Sequence, residues 1–275
     1  MSEGIMLHRS RGKYPKFTYT GNYEFIDDGD GNWRIKFKSS GTLVFKQPNS
    51  ARKGIDVFLV GGGGGGACTN SSYYNFGGAA GGGAGYTKTV TAQIARRQSY
   101  QITIGQGGAG ASDSTWSIGT ANAAAGSASS AFGAVAAGGA GAKASHNGQG
   151  GGATSTGGNG GSGGFAFKLH YGGTPGGYVG GTDGNNGASR TDGPSGSSWD
   201  ANGGGRGQRN AAGPNGETGS TREFGETSGA LYSTGGGMGT PQTANSGNGG
   251  NGAYSSGFRV TSGCSGIVII RNHRE

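Results

Sequence analysis

Six consecutive glycines, 61–66, follow directly on the apolar run Asp56-Val57-Phe58-Leu59-Val60. Such a run has no side chains with which to build a core, and ordering it costs more backbone entropy than ordering any other residue type. It is one part of a wider bias: 69 of the 275 residues are glycine, about a quarter of the chain against a usual share of about 7%. Charged residues (13%) and apolar residues (31%) are correspondingly scarce. Two outcomes are compatible with this. One is a disordered tether, the usual fate of an aperiodic Gly/Ser-rich chain. The other is an architecture in which backbone packs directly on backbone. Only six prolines, against eleven Tyr, eleven Phe and three Trp, favour order.

The glycines also carry a period. Residues 157–164 read Gly-Gly-Asn-Gly-Gly-Ser-Gly-Gly, and 247–252 read Gly-Asn-Gly-Gly-Asn-Gly. Polyproline II geometry has three residues per turn. A glycine chain in that form lacks side chains on two of its three faces, so neighbours approach closely and exchange N–H···O=C bonds. The third position, Asn or Ser here, is free to point outward. A second pattern, Gly172-Gly173-Thr174-Pro175 through Gly180-Gly181-Thr182-Asp183, repeats every four residues and reads as turns or an exposed loop.

Strand signals sit at the two ends. Phe17–Thr20, Tyr23–Ile26, Trp33–Lys38, Thr42–Phe45, Asp56–Val60, Tyr86–Val90 and Tyr100–Ile104 have β-type composition, and Trp33-Arg34-Ile35-Lys36-Phe37-Lys38 alternates with period two, as a half-buried strand does. The signal then fades for some 150 residues and returns at Phe258–Thr261 and Ile267–Ile270. Ala121–Ala137, interrupted by Gly126 and Gly133, reads as loop or short strand rather than helix. The expected fold is all-β with almost no α-helix. N- and C-terminal strands (17–104 plus 256–275) form a β-sandwich of jelly-roll or TNF-like type. They carry a bundle of polyglycine II helices with exposed loops (105–255), and residues 1–16 form an arm.

The catalytic motifs fail on context. The six-glycine run satisfies G-x-G-x-x-G after a strand, but Ala67-Cys68-Thr69-Asn70-Ser71-Ser72 is a poor helix, and the dinucleotide fingerprint needs a helix N-terminus there. Asp27-Asp28-Gly29-Asp30-Gly31-Asn32 has the composition of a calcium loop without its distal Glu and reads as a hairpin turn. His8, His146, His170 and His273 have no metal-ligand spacing. No enzyme, cofactor or metal site is expected. The net charge of +8 suits anionic partners, yet the basic residues are scattered, which equally fits a solubility role, and no nucleic-acid partner is expected. Two cysteines, Cys68 and Cys264, are too few for a disulfide scaffold and read as free thiols. The first thirteen residues lack a signal-peptide core, and no stretch is long and apolar enough for a membrane helix.

Larger residues interrupt the glycine region in clusters: Tyr73, Tyr74, Asn75 and Phe76; Phe165, Phe167, Lys168, His170 and Tyr171; Tyr178; and Trp199, Arg206 and Arg209. Aromatic, Arg and Asn side chains on loops are typical of recognition surfaces. The competing role for any one of them is to plug gaps between glycine helices.

Phe17-Thr18-Tyr19-Thr20-Gly21, Asp28-Gly29-Asp30-Gly31-Asn32-Trp33-Arg34-Ile35-Lys36-Phe37 and Asp56–Val60 with its glycine run resemble the glycine-rich domain proteins of bacteriophages and prophages. So do Thr103-Ile104-Gly105-Gln106-Gly107-Gly108, Thr221-Arg222-Glu223-Phe224-Gly225-Glu226 and Ser265-Gly266-Ile267-Val268-Ile269-Ile270-Arg271. In composition, the middle is similar to T-even-like tail-fibre tip adhesins, which carry polyglycine II lattices with receptor-contacting loops. The layout resembles the glycine-rich domain of anaplastic lymphoma kinase-type receptors. The resemblance implies a non-enzymatic tail adhesin, made in the host cytoplasm and located in the virion, that recognises a host cell-surface glycan or protein through the residues named above. It also implies other tail proteins as partners, with homo-oligomerisation open. The alternative is a structural virion or surface protein that uses its glycine lattice for assembly.

Overall fold

The computed structural model describes residues 14–48, 54–71, 76–113, 118–147, 153–156, 160, 166–168, 221–237, 241–252 and 260–274. The chain opens with β1 (Lys16–Tyr19), β2 (Tyr23–Gly29), β3 (Asn32–Phe37), β4 (Gly41–Gln47) and β5 (Gly54–Val60). The glycine run leads to β6 (Ala67–Ser71) and β7 (Phe76–Ala80), followed by β8 (Thr87–Gln93) and β9 (Ser99–Ile102). Short strands follow: β10 (Ala111–Asp113), β11 (Ile118–Asn122), β12 (Ser129–Ala131), β13 (Ala134–Ala136), β14 (Lys143–Asn147), β15 (Ala153–Thr156) and β16 (Ala166–Lys168). Last come β17 (Thr221–Arg222), a 3-10 turn at Glu223–Gly225, β18 (Leu231–Tyr232) and β19 (Ile267–Asn272). The fold is all-β, and that single turn is the only helical element among the described residues.

Two sheets share one core in a sandwich-like arrangement. One has the order β1-β4-β9, the other β2-β3-β19-β5-β8. The alternation read in the sequence places Trp33, Ile35 and Phe37 inward, against Leu43, Phe45 and Ile102 of the facing sheet. The apolar runs of β5 and β19 pair from Ile267–Val60 to Asn272–Ile55. They are apolar throughout because both faces are buried. Val57, Leu59, Val268 and Ile270 enter the main core, while Phe58, Val60, Ile267 and Ile269 pack under Tyr232 and Phe224 on the other side. Full burial of each such side chain stabilises by about 1.5–3 kcal/mol. The Asp27–Asn32 stretch makes the β2–β3 hairpin, with Gly29, Asp30 and Gly31 all at positive φ and the Gly29 N–H donating to Asp27 Oδ1.

Glycines 61–66 run out of β5 as the axis of a bundle. Their N–H groups donate in rotation to three neighbours: Gly61 and Gly64 to the carbonyls of Tyr86 and Gly83, Gly62 and Gly65 to Ser127 and Ala124, Gly63 and Gly66 to Cys264 and Thr261, at 2.8–3.1 Å. Their carbonyls accept from three others: Gly62 and Gly65 from Gly139 and Ala142, Gly63 and Gly66 from Gly108 and Ala111, and Gly64 from Gly250. Partners recur every third residue, the period of a threefold helix, and none of the six has positive φ. The donors' partners run antiparallel to the axis, and the acceptors' partners run parallel. The surrounding segments also bond to one another and close a ring, through Gly83–Ala140, Gly126–Gly139, Ser127–Gln106, Gly263–Gly108, Cys264–Asn248 and Gly85–Gly247. Side chains are excluded at the axis: a Cβ on any of 61–66 would lie 2.0–2.1 Å from a carbonyl oxygen of a parallel neighbour. In the ring, Gln106, Ala109 and Ala137 occupy exposed outward positions.

The bundle draws on chain from both sides of the boundary expected at residue 105. Three expectations are corrected. Nine short strands, β10–β18, lie where the strand signal fades; β12 and β13 fall in Ala121–Ala137, read as loop or short strand, and the rest were not expected, because short Ala-, Ser-, Thr- and Gly-rich runs pair as strands without the apolar alternation that marks them. Val260 and Thr261 were expected in a strand but belong to the bundle, where Thr261 N–H donates to Asn251 O. Asn248 and Asn251, expected outward, are buried. Their Oδ1 atoms accept from the N–H groups of Thr234 and Gly237, so the two amides together fasten the segment 234–237 to the ring. The Gly172–Asp183 repeat and most of 157–164 lie outside the described residues.

Candidate functional site

The bundle has two ends. At one, Val60 delivers the axis from the sandwich, and Ser129 Oγ donates to the Val60 carbonyl at 2.6 Å. At the other, Gly66 passes into β6, which pairs with β7 as a hairpin from Ala67–Ala80 to Ser71–Phe76. β10 and β16 flank that hairpin in the order β10-β6-β7-β16, and β11-β14-β15 form a second small sheet beside it. The core here is alanine: Ala67, Ala80, Ala121, Ala142 and Ala144. Small side chains let these strands continue the tight spacing set by the glycine axis. Thr120 N–H donates to Asp113 Oδ2 at 2.8 Å, tying β10 to β11.

Phe76 opens β7, and Phe167 and Lys168 lie on β16, paired with Ala79 and Gly78. These three are on strands of one sheet rather than on loops. Tyr73, Tyr74, Asn75, Phe165, His170, Tyr171, Tyr178, Trp199, Arg206 and Arg209 lie outside the described residues, although Ser71 and Phe76, which flank the first three, end the β6–β7 hairpin.

Two polar features escaped the sequence reading. The first lies on the outer face of the five-stranded sheet. Glu223, 1% exposed, accepts from Arg34 and from Lys36 Nζ (2.8 Å), and Tyr232 OH donates to it at 3.2 Å. Asp28 and Glu226 complete the set with Arg34, Arg271 and Arg274, and Arg271 also meets Asp56. Burial alone would lower the Lys36 pKa, but the hydrogen bond that Lys36 donates to Glu223 prevails and raises it. The signal was the Arg34/Lys36 alternation, whose period-two positions face opposite to Ile35 and Phe37. Asp28 lies six residues from Arg34, but Glu223 and Glu226 lie 187 and more residues from these cations, beyond any local pattern.

The second is a shallow groove of ≈ 450 Å³ between two ring segments, lined by Gln106, Gln242, Thr261, Ser262, Cys264 and Ser265. Cys264 Sγ is 3.5 Å from Gln242 Oε1, and burial raises its pKa. Cys68, on β6, is also buried, with its pKa pushed up to about 11. Both are free thiols, held in the neutral form that makes a poor nucleophile.

A sandwich-like β framework joined to a hydrogen-bonded glycine bundle defines a glycine-rich domain. The family model for a glycine-rich domain matches residues 38–273, and the chain belongs to that family. No curated protein matches it.

Proposed function

We propose that the chain is a non-enzymatic bacteriophage tail adhesin that recognises a host cell-surface glycan or protein at the bundle end away from the sandwich. The observation that supports this reading is the β6–β7 hairpin. It continues the rigid glycine axis and carries Tyr73, Tyr74 and Asn75 between its strands, with Phe167 and Lys168 on the neighbouring β16. The bundle is read as polyglycine II helices, whose many mutual hydrogen bonds hold a tip in place without a large apolar core. In this reading the protein resides in the virion tail, and other tail proteins, or further copies of the chain, engage it elsewhere than at the tip.

Envelope pull-down with the purified chain tests the reading. Wild-type protein is expected to bind host envelopes, and Tyr73→Ala/Tyr74→Ala and Phe167→Ala variants to lose binding while melting normally. Normal binding by both variants removes the tip from recognition. Absence of binding by the wild-type chain points instead to an assembly role.

A further inference from the structure

The two outer faces of the sandwich are treated differently. The five-stranded sheet has its face covered by the chain itself: the segment 221–232 lays Glu223 and Glu226 over the cations Arg34, Lys36 and Arg271, with Phe224 and Tyr232 packed on Phe58. The three-stranded sheet has no such cover among the described residues. Its inward side chains are Phe17, Tyr19, Leu43, Phe45, Tyr100 and Ile102. By the twofold alternation of strands, Lys16, Thr18, Thr42, Val44, Lys46, Ser99 and Gln101 point outward, and none of these is acidic.

The cations gather at the end of this sheet remote from the bundle. Lys16 pairs in register with Gln47, next to Lys46. Arg96 Nε donates to the Lys46 carbonyl at 3.0 Å. The Arg97 N–H donates to the Phe45 carbonyl at 2.8 Å, which fixes Arg97 at a φ of 62°. Lys16, Lys46, Arg96 and Arg97 are all exposed, and none pairs with a carboxylate among the described residues. On the opposite face, Arg34, Lys36, Arg271 and Arg274 each pair with one.

We propose that this face is a docking surface for an acidic, extended segment of another polypeptide. The opposite face supplies the template, since there a short stretch bearing two glutamates covers a basic strand surface. The boundary of the patch favours a peptide over a long polyanion. Tyr14, two residues before Lys16, packs edge-on against Phe25 at 5.7 Å, and a hydrogen bond to Asp27 raises its hydroxyl pKa. Asp27 and Asp30, both exposed, therefore border the patch and repel a long polyanion such as nucleic acid running across the end of the sandwich, while a short acidic segment is confined to the four cations. This surface lies at the other end of the molecule from the proposed recognition tip.

The test uses the full chain and a fluorescein-labelled oligoglutamate peptide, followed by anisotropy at low salt. The wild-type chain is expected to bind, and Lys46→Glu/Arg96→Glu to weaken binding about tenfold or more, as loss of close charge pairs does. Lys143→Glu, a single charge reversal of the same kind on β14, is expected to leave binding unchanged, and salt of about 0.5 M to abolish it. Circular dichroism confirms that each variant is folded. Absence of peptide binding, equal binding by the Lys46→Glu/Arg96→Glu and Lys143→Glu variants, or tighter and equally Lys46/Arg96-dependent binding of labelled duplex DNA each overturns the proposal.

Discussion

The carbonyl oxygen of Ala140 stands 2.0 Å from where a Cβ on Gly64 would lie. Gly64 also donates to Gly83 O and accepts from Gly250 N, so it cannot retreat without breaking bonds on its other sides. Gly64→Ala is expected to cost more than about 4 kcal/mol, the range of severe overpacking, or to prevent folding. Ala137→Ser, at an exposed ring position, is expected to fall within about 0.5 kcal/mol of wild type. Urea denaturation of the two variants checks both.

Glu223 is the buried centre of the ion network, and removing it takes away the carboxylate that Lys36 pairs with at a half-buried site, while Arg34 keeps Asp28 and Glu226. Glu223→Ala is expected to cost about 3 kcal/mol, as breaking a buried pair from one side does. Amide exchange in 221–232 should quicken more than exchange in β5 and β19, because that segment loses its anchor while the central strands keep theirs. Uniform quickening would show that the network supports the whole sandwich and not this cover alone.

Asn248 replaces a backbone partner with a side chain: its Oδ1 accepts from Thr234 N–H and its Nδ2 donates to Pro241 O. Asn248→Ala leaves both part-buried backbone groups without that partner, at an expected cost of about 1 kcal/mol. Thermal unfolding of the variant measures it.

Burial raises the Cys68 thiol from 9.0 to about 11 and raises Cys264 and Tyr19 as well. The folded state therefore favours the protonated forms. Their contribution is complete below the unfolded pKa values and is lost as pH rises through the folded ones. Lys36, held charged by Glu223 against the opposing effect of burial, loses stability in the same direction. The melting temperature is expected to fall between about pH 9 and 11, less steeply in Cys68→Ala. At pH 8, iodoacetamide is expected to label Cys68 and Cys264 only as fast as the protein opens.

Much of the β framework was legible locally. Trp33–Lys38 alternates because one face of β3 is buried and the other carries the ion network. Asp56–Val60 and Ile267–Ile270 are apolar throughout because β5 and β19 are covered on both faces. Apart from β12 and β13, which lie in the stretch read as loop or short strand, the short strands from β10 to β18 were not legible, since such short runs carry no pattern that separates them from loop. Of the proposed recognition residues, Phe76, Phe167 and Lys168 were recognised by type, but their places on one sheet depend on β7 pairing with β16 across some 90 residues.

By itself the sequence determined that residues 61–66 carry no side chains, that glycine recurs every third residue, and that the apolar strands lie at the two ends of the chain. Composition and period are local properties, and they favour backbone-on-backbone packing over a disordered tether. Which segments surround the axis, in which direction each runs, and which acid meets which base were decided only in the tertiary structure. A glycine N–H presents the same donor to any carbonyl, so its partner is selected by where the sandwich strands and the ring segments place the rest of the chain.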